Sequence, residues 1–109
     1  MTKETLFADL TTKGDVLHAA LSGEIDHHSA GAAREKIDAA LFKYRPAAFS
    51  FDLSNVAFMD SSGLGLILGR VALCEELGIS VRLLHPSPRV RKIFAVAGVD
   101  RIRNLTIEP

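Results

Sequence analysis

A chain of 109 residues can bury one hydrophobic core but is too short for two ordinary domains, so a single domain over residues 1–109 is expected. Its 48% apolar and 24% charged residues match the balance of soluble globular chains, which argues against disorder or a fibrous repeat. Thirteen basic and thirteen acidic side chains cancel, which removes the broad attraction used by nucleic-acid and anionic-membrane binders and leaves a protein partner or a small ligand.

The first residues, Met1-Thr2-Lys3-Glu4, carry an early acid and no extended apolar core, so no export leader is expected. No later stretch approaches the roughly 20 apolar residues a bilayer span needs. Residues 6–11 and 16–21 are short apolar runs around Lys13-Gly14-Asp15, which predicts a β-hairpin. From Ser29, the expected N-cap, Ala33, Ile37, Ala40, Leu41 and Tyr44 recur at helical spacing, with Arg34, Glu35, Lys36 and Asp38 on the opposite face. Pro46 closes that helix, and residues 48–53 read as a buried strand. A second helix places Leu64, Ile67, Leu68, Val71 and Cys74 on one side, runs to about Leu77 and is capped by Gly78. Residues 79–84 form another strand. Ser87 then caps a third helix with Pro88 in its first position, Gly98 ends it after about Val96, and residues 102–107 make a last strand. The order predicts an α/β domain with one mixed four- to five-stranded sheet, helices packed on it and right-handed crossovers. Cys74, the single cysteine, has no thiol to pair with, which fits a reducing, cytoplasmic setting.

The most informative segment is Met59-Asp60-Ser61-Ser62-Gly63-Leu64-Gly65, where a strand hands over to a helix. Four free amides and the dipole at a helix start favour negative charge, so a phosphate on a hydroxyl here would alter the surface more than the fold. A phosphoserine adds about 1.5 to 2 negative charges beside an aspartate, and a closely packed interface would lose affinity. The same residues are also an ordinary cap and turn, with Asp60 or Ser61 as N-cap. Enzymatic alternatives fail on spacing. A nucleophile elbow needs glycines two residues either side of its serine, but Met59 and Asp60 stand there. A phosphate-binding loop lacks its Gly-Lys pair, and a dinucleotide fingerprint finds Leu68 where its third glycine belongs. Gly65 and Gly69, one turn apart, are expected to let the helix approach the sheet.

A second polar loop, Gly23-Glu24-Ile25-Asp26-His27-His28-Ser29, offers two carboxylates and two imidazoles before the first helix. Adjacent histidines point different ways and no spaced His or Cys completes a tetrahedral set, so a polar helix start is favoured over a metal site. Glu24 and Asp26 show no cleft for glycoside chemistry. His18 and His85 read as strand-end residues rather than catalytic bases. Arg89, Arg91, Lys92, Arg101 and Arg103 form a basic stretch without interleaved aromatics, which suits a solvated face better than a nucleic-acid platform.

The run Phe58-Met59-Asp60-Ser61-Ser62-Gly63-Leu64-Gly65, continued by Ile67-Leu68-Gly69-Arg70, resembles the phosphorylation-site signature of anti-sigma factor antagonists of the STAS family. The loop from Gly23 to Ala30 resembles that family's second characteristic loop, especially in its sporulation branch, and the similarity extends through Ser87-Pro88-Arg89-Val90. Family members often continue into another C-terminal helix, whereas this sequence stops at Pro109. The resemblance implies that Ser61 is phosphorylated by an anti-sigma factor serine kinase, that the unphosphorylated chain captures this kinase and frees the sigma factor, and that a PP2C-type phosphatase resets the switch. It implies no catalysis by this chain and no cofactor or metal of its own, since ATP and magnesium belong to the kinase. It also implies contact with neither nucleic acid nor membrane. Asp60 would present Ser61, Ser62 and Gly63 would shape the helix start, and Asp26, His27, Ser29 and Leu64 would complete the partner surface. The alternative is a STAS scaffold subunit of a larger regulatory or transport complex that is never phosphorylated.

Overall fold

The structure, a computed structural model, describes residues 7–109. Leu6, the expected start of the first strand, and the leader-free reading of Met1 to Glu4 lie outside the described residues. Strands β1 (Phe7–Lys13) and β2 (Val16–Ser22) form the antiparallel hairpin, turned at Gly14 with φ 59°, a left-handed conformation glycine adopts without steric cost. Helix α1 (His27–Tyr44) ends on Arg45 in the left-handed region, immediately before Pro46. Strand β3 (Ala48–Asn55), helix α2 (Ser61–Leu77), strand β4 (Ser80–Leu84) and helix α3 (Pro88–Ala97) follow. Gly78 and Gly98, both with positive φ, cap α2 and α3, and Ser87 Oγ accepts the Val90 amide at the start of α3. Strand β5 (Leu105–Glu108) begins three residues later than its apolar pattern predicts. After α3 the chain folds into a 3-10 turn over Val99–Arg101 and then a turn at residues 103–104, and the amides of Ile102 and Leu105 bond locally, to the carbonyls of Val99 and Ile102.

The sheet has five strands in the order β1-β2-β3-β4-β5, with β2 to β5 mutually parallel. Three crossovers step the same way across it, so right-handed connections put all three helices on one face. Burial follows that geometry. Leu17, Ala19 and Leu21 of β2, Phe49, Phe51 and Leu53 of β3, and Val81 and Leu83 of β4 point into the core with Ile37, Leu41, Ile67, Val71 and Cys74 of the helices. The alternating positions face an uncovered side, where Arg82 is exposed. On that side Ala48 and Ser50 of β3 are nonetheless buried, and Ser50 Oγ bonds His18 Nδ1 across the β2–β3 pair. His18 is therefore a mid-strand residue, not the strand-end residue expected, whereas His85 does follow directly on β4.

Of the apolar stripe expected on α1, Ala33, Ile37, Ala40 and Leu41 are buried, but Tyr44 is exposed beside Lys43. Leu64 and Leu68 sit at the margin of the core, while Leu66 and Ile67 take its centre. The topology also positions the two polar loops, because the β2–α1 and β3–α2 connections both emerge at the C-terminal ends of adjacent parallel strands. Loops at that end of an open parallel sheet converge in space.

Candidate functional site

The start of α2 is built by Asp60. Its extended backbone makes it the N-cap, and its Oδ1 accepts the amides of Ser62 at 2.8 Å and Gly63 at 3.3 Å. Ser61 is thus the first helical residue rather than the cap, and its side chain is exposed. This alters the expectation of four free amides at the helix start. Two of them are already bound to a carboxylate, so a phosphate on Ser61 would meet a negative charge where open N–H groups were anticipated.

The start of α1 repeats the device in fuller form. Asp26, not Ser29, is the N-cap, and the helix begins at His27, two residues before the expected Ser29. Asp26 Oδ1 accepts the His28 amide at 2.9 Å and the Ser29 amide at 2.8 Å, while Ser29 Oγ returns to the Asp26 amide at 3.3 Å. The reciprocal box holds both side chains, so Ser29 closes the helix end instead of reaching outward. His27 and His28 are both exposed.

A parallel bridge between Ile25 and Met59, each 1% exposed, ties the two loops together one residue before each cap. Gly63 lies directly on that bridge. A Cβ built there would stand 2.8 Å from Met59 Cβ and 3.1 Å from Ile25 Cβ, so only glycine lets the first turn of α2 settle onto it. The structure therefore brings together Asp26, His27, Ser29, Asp60, Ser61, Ser62 and Gly63 at one end of the molecule. Within the set Gly63 is buried, Leu64 packs against the core margin, and Ser61, Asp60 and His27 carry the exposed surface. Phe58, 46% exposed just ahead of the loop, adds an aromatic surface that composition alone would have assigned to the core.

Gly65 and Gly69 do not do what their spacing suggested. Neither faces the sheet, and a Cβ at either would meet nothing within 4 Å. They line a groove of about 540 Å³ between α1 and α2, with His27, Ala30, Gly31 and Arg34 opposite and Ser62, Leu66 and Arg70 on their own helix. At its far end Arg70 is buried and pairs its Nε with Asp38 Oδ1 at 2.7 Å. Burial pushes the Arg70 guanidinium below its ordinary value, Asp38 draws it back up, and the neighbouring Arg34 charge pushes it down again. The sequence signal for this groove was present as helical spacing: positions 27, 30, 31 and 34 share one face of α1, and 62, 65, 66, 69 and 70 one face of α2. Gly31 has no part in the sequence reading, Arg34 enters it only as a polar-face residue, and Arg70 only as the end of the signature run, without a role in a groove.

Other sequence candidates stay apart. Arg89, Arg91, Lys92, Arg101 and Arg103 are all exposed on and after α3. Among the described residues no three His, Cys, Asp or Glu side chains gather as a metal site would require, and no helix is long and apolar enough to cross a membrane.

Comparison with known proteins agrees with this fold. The family model of the STAS domain matches residues 7–108. Over 79 residues the chain is 43% identical to the anti-sigma F factor antagonist of Lysinibacillus sphaericus, spanning 72% of this chain and 68% of that protein. Its fold superposes on the structure of the anti-sigma factor antagonist SpoIIAA in its unphosphorylated form with a TM-score of 0.79, at 33% identity over 93% of this chain and 87% of the other. The Bacillus cell fate determinant SpoIIAA in its phosphorylated form gives 0.74 at 32% identity, over 93% and 90%.

Proposed function

The chain belongs to the STAS domain family, and from that premise we propose that it is an anti-sigma factor antagonist switched by phosphorylation of Ser61. In its unphosphorylated form it captures an anti-sigma factor that is also a serine kinase, and the sigma factor, of the F class to which the Lysinibacillus sphaericus relative points, is released to RNA polymerase. The role is regulatory rather than catalytic and is exercised in the cytoplasm. ATP and its magnesium ion are held by the kinase, and a PP2C-type phosphatase restores the hydroxyl.

One observation carries this reading: the Ser61 hydroxyl is exposed on the first residue of α2, beside an Asp60 carboxylate that already holds two amides of the helix start. The hydroxyl is reachable by a kinase. Once phosphorylated, it puts about 1.5 to 2 further negative charges next to Asp60 with little backbone left to absorb them. The helix keeps its cap, the fold stands, and the altered charge acts on whatever packs over the loop. Asp26, His27 and Ser62 flank Ser61 in that surface, Ser29 and Gly63 hold the backbone that shapes it, and Leu64 anchors it to the core.

The test is phosphate transfer. Incubation with the anti-sigma F factor kinase and ATP, followed by intact-mass measurement, should add one phosphate to the wild-type chain and none to Ser61→Ala. Ser61→Asp should weaken capture of the kinase by at least about tenfold, equivalent to about 1.4 kcal/mol. A kinase that binds the chain and transfers nothing would favour the scaffold reading and remove the switch.

A further inference from the structure

Resting on the kinase-capture reading above, we propose that the groove between α1 and α2 seats an acidic side chain of the same partner, with Arg34 as its main ionic contact. The surface that recognises the kinase would then run beyond the Ser61 loop and down the paired helices. Shape favours it first. Gly31 on α1 and Gly65 and Gly69 on α2 have nothing within 4 Å of a would-be Cβ, so the groove is open along its length, and its volume of about 540 Å³ leaves room for a side chain. Its near end opens at Ser62, next to Ser61, and its far end is shut by the Arg70–Asp38 pair.

Charge decides the chemistry of the guest. His27, Arg34 and Arg70 line the groove, and no carboxylate is among its lining residues. Asp38, the nearest acid at the closed end, is committed to Arg70 Nε. Arg34 and Arg70 oppose one another across the helix pair, a repulsion an entering carboxylate would relieve through charge-assisted hydrogen bonds. A basic guest would meet like charge. An apolar guest would strip water from Arg34 without replacing its hydrogen bonds. Continuity links groove and switch, because Ser62 belongs both to the loop that carries Ser61 and to the mouth of the groove, so a partner seated on the one overlies the other.

The experiment uses the full chain labelled with ¹⁵N and the purified anti-sigma F factor kinase as probe. Adding the kinase should move the amide signals of Gly31, Gly65 and Gly69. Arg34→Glu should weaken binding at least about tenfold and Arg34→Lys by less than about threefold, on the scale where tenfold is a single strong ionic contact. Arg34 is exposed, so both variants should retain the wild-type circular dichroism spectrum. If Arg34→Glu binds as wild type while Ser61→Asp does not, the groove proposal is overturned and the switch stands. If the wild-type chain neither binds the kinase nor accepts phosphate, both are overturned. Inorganic phosphate alone shifting the same glycine amides as strongly as the kinase would assign the groove to free anions and overturn the acidic side chain as its occupant.

Discussion

Glycines 63 and 65 stand two residues apart on α2 and should respond to the same substitution with opposite sign. At Gly63 a methyl group would lie 2.8 Å from Met59 Cβ, and neither Met59 nor Ile25 can swing a Cβ away without moving backbone. Overpacking of this kind costs about 1 to 3 kcal/mol, which outweighs the gain of up to about 1 kcal/mol from better helix propensity. Gly63→Ala should therefore lower the urea midpoint. At Gly65 the methyl group enters open space, only the propensity gain remains, and Gly65→Ala should raise stability by about 0.5 to 1 kcal/mol. Equal and same-signed shifts in the two urea titrations would refute the close approach at the Ile25–Met59 bridge. The pair also shows what sequence can and cannot reveal. Gly-x-Gly spacing says that small residues are wanted, but which of them faces a neighbour depends on the rotation of the helix about its axis. The margin positions of Leu64 and Leu68, beside the fully buried Leu66 and Ile67, show that rotation to differ from the one the apolar pattern suggested.

Each helix owes its start to a short polar side chain, and α1 concentrates the most hydrogen bonds in one such residue. Asp26 Oδ1 holds two amides and the Ser29 hydroxyl, so Asp26→Ala should cost about 1 to 2 kcal/mol, lowering Tm by several degrees in a domain of this size. Ser29→Ala should cost less, because the carboxylate keeps both amides. A thermal melt in which Ser29→Ala is the more harmful variant would contradict the cap assignment. Capping chemistry was the most legible layer of the sequence. Ser87-Pro88, Gly78 and Gly98 mark their helix ends because the physics is local. The error at α1 arose where two good caps, Asp26 and Ser29, stand three residues apart and become partners in one box. The late start of β5 has a different origin: an apolar run cannot announce that Ile102 to Asn104 are spent on a turn closed by the Leu105 amide on the Ile102 carbonyl, directly after the 3-10 turn over Val99–Arg101. The Arg70–Asp38 pair was also illegible, since it joins two helices across 32 residues of chain through positions that each look solvent-facing.

Taken as a whole, the domain is one core between a sheet and three helices, and Cys74 reports on it. The thiol is buried, and loss of solvation pushes its pKa from 9.0 up to about 12. In the folded chain it stays protonated and inert at neutral pH; a thiol reagent should label it only as fast as the core opens, and labelling should share the denaturation midpoint seen by circular dichroism. The raised folded value also sets a pH dependence: the contribution is fully present below the unfolded value, near 9, and is lost as pH climbs towards about 12. Alkaline destabilisation in that window should be smaller in Cys74→Ala. Sheet class and strand sequence were readable from alternating strand and helix patterns together with the handedness of crossovers, while the count of five awaited the short β5. The parallel arrangement has a practical corollary. Because β1 runs against β2, residue 7 enters at the same end at which Pro109 leaves β5, and that end carries Ser61. A tag or fluorophore attached where β1 begins or where β5 ends would hang beside the Ser61 loop, whereas the hairpin tip at Gly14 lies at the opposite pole and offers a dye or surface linkage that leaves that loop clear.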